Sequence, residues 1–262
     1  MVNKKKVIDV ELLKSLIFSG KKSKDICEVF NVSRRTLFTV LKDNNLSFKE
    51  YTYFNINIFD EIDTEEKAYW LGFLYADGYI CGYNSQVELS LKGSDIDHLI
   101  KFKKFLSDTR EDDCIKLSMV QFNNNQYSRC RYIIGNRYFH DRLIDLGCVP
   151  GKSTKLVFPD ESIFKTKDLI RDFIRGYIDG NGCLYFNNSK LAIEISGTMD
   201  FLNSIRNYFS EFNIPQKDKR HNVYRIGCYC TKARLVANTL YNNSTIYLSR
   251  KYLKFAESCS NI

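Results

Sequence analysis

Trp70-Leu71-Gly72-Phe73-Leu74-Tyr75-Ala76-Asp77-Gly78 returns later in the chain as Ile174-Arg175-Gly176-Tyr177-Ile178-Asp179-Gly180-Asn181-Gly182. The copies lie 104 residues apart, and the register holds without a gap from Gly72/Gly176 to Gly93/Gly197. Each copy carries small residues four apart: Gly72 with Ala76, and Gly176 with Gly180. That spacing puts both on one side of a helix, a stripe where a second backbone can approach closely. If the two stripes face each other, the helices pack side by side and their C-terminal ends meet. Asp77 and Asn181 then lie together at the base of the joint, with Trp70, Phe73, Leu74, Tyr177 and Ile178 filling the flanking cores. The copies differ there: an acid in the first, an amide in the second.

The surrounding sequence repeats as well. Asp63 or Thr64 caps a helix that runs to Asp77 and stops at Gly78. Gln86, Glu88, Ser90 and Lys92 then alternate with Val87, Leu89 and Leu91, the period of a strand with one polar face. A helix over 95–107 follows, then a hairpin over 113–134 turning at Asn123-Asn124-Asn125, with Arg129 and Arg131 flanking Cys130. A helix over 136–146 closes the unit. The second unit repeats this with a helix over 166–180 and strands over 183–187 and 190–196. Its later elements are a helix over 199–212, strands near 217–229 bearing Arg220 and Arg225, and a helix over 231–242. In its second strand Lys190, Ala192, Glu194 and Ser196 oppose Leu191, Ile193 and Ile195. Each unit therefore reads as α-β-β-α-β-β-α, with a polar sheet face that nothing in the unit covers.

Ahead of the repeats, residues 8–46 read as three short helices. The first carries Val10, Leu12, Leu13, Leu16 and Ile17 and stops at Gly20. The second is capped by Ser23 and buries Ile26, Cys27 and Phe30. A turn at Asn31-Val32 leads to a second cap, Ser33. The third helix buries Leu37, Val40 and Leu41 and leads with Arg34 and Arg35. This pattern resembles a helix-turn-helix, whose last helix enters the major groove N-terminus first, so Arg34 and Arg35 are placed to reach phosphates or guanine edges. A protein-contact module with a solvated basic face is the alternative. The expected organisation is 1–46 as this domain, 47–62 as linker, 63–149 as the first repeat, 150–165 as an inter-repeat linker and 166–262 as the second repeat.

Composition narrows the function classes. The 262 residues carry 39 basic and 31 acidic side chains, a net charge of +8, which favours a polyanionic partner. No apolar run approaches the roughly 20 residues a membrane span needs. The basic start, Met1-Val2-Asn3-Lys4-Lys5-Lys6, precedes no signal-peptide apolar core, so a cytoplasmic, nuclear or organellar-matrix protein is expected. The nine cysteines form no CxxC pair and the three histidines stand apart from them. Reduced, inert thiols and no zinc are therefore expected. Cys228 and Cys230 should share one face of a strand.

Together these features resemble a single-chain, two-repeat LAGLIDADG homing endonuclease, whose motif the segments ending at Gly78 and Gly182 match. The likeness covers about 63–262, including Pro150-Gly151-Lys152-Ser153 after the first unit and Tyr247-Leu248-Ser249-Arg250-Lys251-Tyr252 after the second. It implies an α+β fold of two pseudo-twofold-related units whose sheets lie along the major groove of a long double-stranded DNA site. It implies a monomer that hydrolyses both strands with Mg²⁺ or Mn²⁺ and no organic cofactor. The metal-binding acid of each motif maps to Asp77 and Asn181, and the assisting basic residue to Lys152 and Lys251. The bases would be read by Gln86, Glu88, Ser90, Lys92, Arg129 and Arg131 on one sheet. On the other, Lys190, Glu194, Ser196, Arg220 and Arg225 would read them.

The residues suit that chemistry. Phosphodiester hydrolysis needs an activated water and compensation of charge on the phosphoryl and leaving oxygens. A carboxylate-held Mg²⁺ supplies both, and a lysine can stabilise the developing charge. Asn181 departs from the pattern, because an amide offers a cation an oxygen without charge. Asp179, roughly 200° around the helix, does not replace it. Its counterpart is Tyr75, which indicates a structural role. Three explanations stay open: a deliberate change that traps uncleaved DNA, a natural asymmetry giving a strand-biased or slow enzyme, and drift to a non-cleaving role. The rival functions are a DNA-binding transcriptional regulator on a degenerate scaffold and an intron maturase that binds RNA.

Overall fold

The computed structural model of the chain describes residues 8–18, 21, 23–44, 46, 53–122, 125–218 and 223–260. It divides into two units, Met1–Ile56 with Lys103–Cys114, and Asn57–Phe102 with Ile115–Ile262.

In the first unit, helices α1 (Val10–Phe18), α2 (Ser23–Phe30) and α3 (Arg34–Asp43) close around Ile8, Leu13, Ile17, Ile26, Leu37 and Leu41. Asn31 ends α2 in the left-handed region at φ 48°, and the Val32 amide donates back to the Cys27 carbonyl at 3.0 Å. Asparagine tolerates that conformation, which makes it a natural helix terminator. Ser33 caps α3 by accepting from the Thr36 amide at 3.1 Å. Ser23, expected as a cap, is the first helical residue instead. Leu12, expected inside, is 44% exposed, because only the Leu13/Ile17 side of α1 meets the core. Cys27, Phe30 and Val40 are half-buried against that core. The expected stop at Gly20 lies outside the described residues.

The second unit holds the repeats. The first runs α4 (Glu65–Asp77), β1 (Gly78–Ile80), β2 (Gln86–Lys92), α5 (Ile96–Phe105), β3 (Ile115–Phe122), β4 (Asn125–Gly135) and α6 (Arg137–Asp145). The second runs α7 (Asp168–Asn181), β5 (Gly182–Asn187), β6 (Lys190–Gly197), α8 (Met199–Tyr208), β7 (Gln216–Lys217), β8 (Tyr224–Tyr229) and α9 (Cys230–Tyr241), followed by α10 (Ser249–Ser260). The fold is mixed α and β, with two four-stranded antiparallel sheets of equivalent order, β1-β2-β4-β3 and β5-β6-β8-β7. The order expected of each repeat is the order found. The whole of α10 was not anticipated, and the short β1 had been given no bounds. Helix α8 is shorter than the expected 199–212, because Phe209 and Phe212 turn back and bury themselves.

Helices α4 and α7 lie backbone against backbone. A Cβ added to Gly72 would stand 1.9 Å from the Phe173 carbonyl oxygen and 3.0 Å from the Tyr177 nitrogen. One added to Gly176 would stand 1.9 Å from the Tyr69 carbonyl oxygen and 2.9 Å from the Phe73 nitrogen. Phe173 and Tyr177 are the repeat counterparts of Tyr69 and Phe73, so the contact is reciprocal, as at a twofold axis. Gly180 continues the stripe, with no room for a side chain beside the Ala76 methyl.

Gly78 ends α4, as expected, and Gly182 ends α7, both in ordinary negative-φ conformations, at −67° and −90°. Glycine is required there by crowding: an added Cβ would sit 2.5 Å from the Leu74 oxygen and 2.6 Å from the Ile178 oxygen. Cys228 and Cys230 do not share a strand face. Cys228 is buried in β8, whereas Cys230 opens α9 at φ 57° and is exposed.

Because both glycines meet backbone, which cannot swing aside, Gly72→Ala and Gly176→Ala should each cost about 1–3 kcal/mol or more through overpacking. Gly135→Ala, with nothing within 4 Å of the new methyl, should stay within about 0.5 kcal/mol of the parent. Denaturant titration of the three variants measures this, and Gly176→Ala as stable as Gly135→Ala would contradict the reciprocal joint.

Candidate active site at the ends of the paired helices

Asp77 is the last residue of α4, beside the space that Gly180 leaves open; a Cβ at that glycine would be 3.4 Å from Asp77 Oδ2. Among the described residues its carboxylate makes no hydrogen bond and no ion pair. Burial raises its pKa, while Lys152, Lys251 and Arg250 pull it the other way. It is a half-buried acid in a positive field with its oxygens uncommitted.

The two expected lysines converge on the same helix ends. Lys152 Nζ donates to the Leu74 carbonyl at 3.0 Å. Lys251 Nζ donates to the carbonyls of Ile178, Asp179 and Gly182 at 2.7, 2.6 and 2.5 Å. Leu74 and Ile178 are repeat counterparts, so each ammonium caps the negative end of one helix. Burial pulls both lysines down to about 8, with Asp77 opposing that shift at each. Near neutral pH both carry charge, and each can release a proton a little above it.

Asn181 occupies the position equivalent to Asp77 but sits differently. Its amide nitrogen donates to the Ser196 carbonyl at 2.8 Å and to the Tyr177 hydroxyl at 3.1 Å.

The motif position two residues before each final acid or amide has become a latch. Tyr75 donates its hydroxyl to the Leu146 carbonyl at 2.5 Å. Asp179 accepts from Tyr69 Oη at 2.8 Å, Tyr241 Oη at 2.6 Å and the Leu248 amide at 2.7 Å. Leu146 leads into the segment bearing Lys152, and Leu248 into the one bearing Lys251. Each latch therefore ties a helix to the chain that presents its lysine. Asp179 is structural, as its pairing with Tyr75 implied.

Arg175, fully buried, reinforces the second latch. It donates to Asp172 and Glu65 at 2.7 and 2.6 Å and to the Leu240 and Ile246 carbonyls, both at 3.1 Å. Its place within the motif was visible in the sequence, but nothing local announces a buried guanidinium. Arg250, which donates to Asp95 at 2.9 Å, was equally silent.

The sheet faces carry the remaining expected residues. Gln86 and Lys92 are exposed, and Glu88, Ser90, Arg129 and Arg131 are half-buried along the same face. Glu88 already accepts from Arg131 at 2.6 Å and from Ser90 at 2.8 Å. On the second sheet Lys190 is exposed, and Ser196 lies opposite Arg225, which pairs with Asp218 at 2.8 Å. Glu194 accepts from Tyr185 at 2.7 Å and Tyr229 at 3.1 Å, two tyrosines the sequence reading did not single out. Ala192, assigned to the polar face, is buried opposite Tyr229. Arg220 lies outside the described residues. Arg34 and Arg35 are exposed in the first turn of α3, in the other unit, with the Arg34 guanidinium 5.9 Å from the Phe38 ring centre.

The described residues contain no group of three or more His, Cys, Asp and Glu side chains placed to hold a metal ion. Magnesium suits such a poor protein shell, because it keeps waters and takes substrate phosphates around one or two carboxylates. Asp77 fits that role. Asn181 does not, since both its amide hydrogens are spent and only a neutral oxygen is left.

No family model matches the chain, and no curated protein matches it. Among solved structures, it is similar to the meganuclease I-SmaMI bound to uncleavable DNA with a TTGT central four, at 13% identity over 74% of this chain and 87% of that one, TM-score 0.46. It is also similar to the LAGLIDADG homing endonuclease I-LtrWI bound to target DNA, at 11% identity over 79% and 90%, TM-score 0.45. The LAGLIDADG meganuclease I-AabMI bound to uncleaved DNA shows 13% identity over 74% and 88%, TM-score 0.45.

The Asp179 latch has a pH signature. His98 Nε2 stands 3.0 Å from Tyr69 Oη, which donates to Asp179, so the imidazole nitrogen is the donor and Nδ1 is left bare and buried. Burial, with Lys101, Arg250 and Lys251 nearby, lowers His98 from 6.5 to about 3. On acidification the unfolded chain takes up this proton before the native one, so stability falls as pH drops from 6.5 towards about 3. Melting temperatures of His98→Leu should fall less steeply over that window than the parent's, and parallel curves would show that His98 is not held neutral.

Proposed function

We propose that the chain is a sequence-specific DNA endonuclease that hydrolyses phosphodiester bonds with a divalent metal, Mg²⁺ or Mn²⁺, held at Asp77. One observation carries this reading. Among the described residues, Asp77 presents a carboxylate without a hydrogen bond at the joint, in the field of the half-buried Lys152 and the buried Lys251.

The parts divide the work as follows. Gln86, Glu88, Ser90, Lys92, Arg129 and Arg131 on one sheet face, with Lys190, Glu194, Ser196 and Arg225 on the other, contact a long duplex along its major groove. Arg220 belongs with them. The helix-turn-helix of residues 1–46 adds contacts through Arg34 and Arg35. The Lys/Arg excess makes binding fall steeply with salt. At the axis Asp77 would hold the divalent cation as its charged protein ligand, and the chemistry that ion would supply there is activation of water and compensation of phosphoryl charge. Lys152 sits at a helix end with its ammonium already oriented, so it meets developing negative charge without reorganisation. A pKa near 8 also lets it pass a proton to the leaving oxygen. The raised pKa of Asp77 means that the site loses its anion at a higher pH than an ordinary carboxylate would. The chain acts as a monomer, since both halves of the joint are on it.

Duplexes enriched by binding from a randomised library, incubated with Mg²⁺, test this reading. Cleavage is expected, with Asp77→Asn and Lys152→Met each slowing it by about 10²–10³-fold at unchanged duplex affinity. Tight binding with no cleavage in Mg²⁺ or Mn²⁺ would favour a regulator, and preference for structured RNA over duplex would favour a maturase.

A further inference from the structure

Asp77 and Asn181 occupy equivalent positions on a reciprocal joint, yet their surroundings make opposite demands. Asn181 Nδ2 lies 2.8 Å from the Ser196 carbonyl oxygen, which can only accept, so the amide nitrogen has to face it. The second amide hydrogen goes to the Tyr177 hydroxyl at 3.1 Å. Tyr177 has one proton of its own, and it is already donated to the same Ser196 oxygen at 3.0 Å. This corner therefore presents two acceptors and no free donor. A carboxylate here would set oxygen against oxygen.

The first repeat lacks the hydroxyl and the amide of this corner. Tyr177's counterpart is Phe73, which has no hydroxyl. Ser196's counterpart in the sheet register is Ser90, since Gly78 pairs with Leu89 and Gly182 with Ile195. Asp77 is thereby left without a hydrogen bond among the described residues. Gly197, where the sheet register puts Leu91 in the first repeat, completes the difference, since a Cβ there would press to 3.0 Å on the Tyr177 hydroxyl. The hydroxyl and the amide occur together in one copy and are absent together from the other.

We propose that the second half-site is built around Asn181 as a hydrogen-bonded structural residue, and that the chain is a strand-selective nicking enzyme. This deepens the endonuclease reading and rests on it. Only the half-site of Asp77 and Lys152 assembles a metal on the scissile phosphate. The half-site of Asn181 and Lys251 does not. Lys251 spends its three ammonium hydrogens on three carbonyls, where Lys152 is held by one and keeps two for a phosphate. The asymmetry is then a property of the folded corner, shared by Tyr177, Ser196 and Asn181, and a single acid-to-amide replacement does not describe it.

Two measurements test this. In the first, library-selected duplexes labelled on either strand are incubated with the full chain and Mg²⁺. One strand should be cut at least about 10²-fold faster than the other; equal rates on both would overturn the proposal. In the second, Asn181→Asp and the parent are melted at pH 7.5 in EDTA without DNA. The carboxylate facing two acceptors should lower the melting temperature by roughly 2–8 °C; a variant melting at or above the parent would overturn the proposed corner. If bound duplex is cut on neither strand, the endonuclease reading fails, and the melting comparison alone then decides whether the corner is built for an amide.

Discussion

The contact on which this molecule depends is the close approach of two helix backbones at Gly72 and Gly176. Each glycine lies against a carbonyl of the other helix, closer than any side chain would allow. That approach brings the ends of α4 and α7 to one place, so that residues 104 positions apart act on a common centre. Neither sheet needs to touch the other for this. Each is carried by its own helix, and the joint sets their relation.

Around the joint the repeats use different chemistry to the same end. Tyr75 and Asp179 are equivalent positions, one an aromatic donor and one a buried carboxylate. Both fasten the helix to the segment that leads to its lysine. The second fastening is the more elaborate, with Tyr69, Tyr241, Arg175 and Glu65 in one buried network. Buried charges of this kind are costly to break because removing one partner strands the others. What reaches solvent from this symmetric frame is asymmetric: among the described residues, an acid without a hydrogen bond at the end of α4 and an amide tied to β6 at the end of α7.

Much of this was legible in the sequence, for identifiable reasons. The repeat and its glycines announce the joint, since nothing but close packing demands small residues four apart in both copies. Alternation in β2 and β6 gave the sheet faces, because a one-sided sheet enforces period two. The latches were less accessible. That Asp179 is structural followed from its pairing with Tyr75, but its partners Tyr69, Tyr241 and Leu248 are remote in sequence. Glu88 and Glu194 read as free acceptors until the register put Arg131 and two tyrosines beside them. That the helix stops at Gly78 was legible, but the reason for glycine there, crowding by Leu74, was not. The corner that holds Asn181 is written in one atom, the hydroxyl that separates Tyr177 from Phe73. That atom carries meaning only once Ser196 is seen beside it.

The account stands on one competent acid at a two-fold joint, and anomalous diffraction from the chain bound to a selected duplex in Mn²⁺ addresses that claim most directly. It predicts a manganese peak within ligand distance of an Asp77 carboxylate oxygen and none at Asn181, whose amide still points at Ser196. Peaks of equal height at both residues, or none at Asp77, would contradict it.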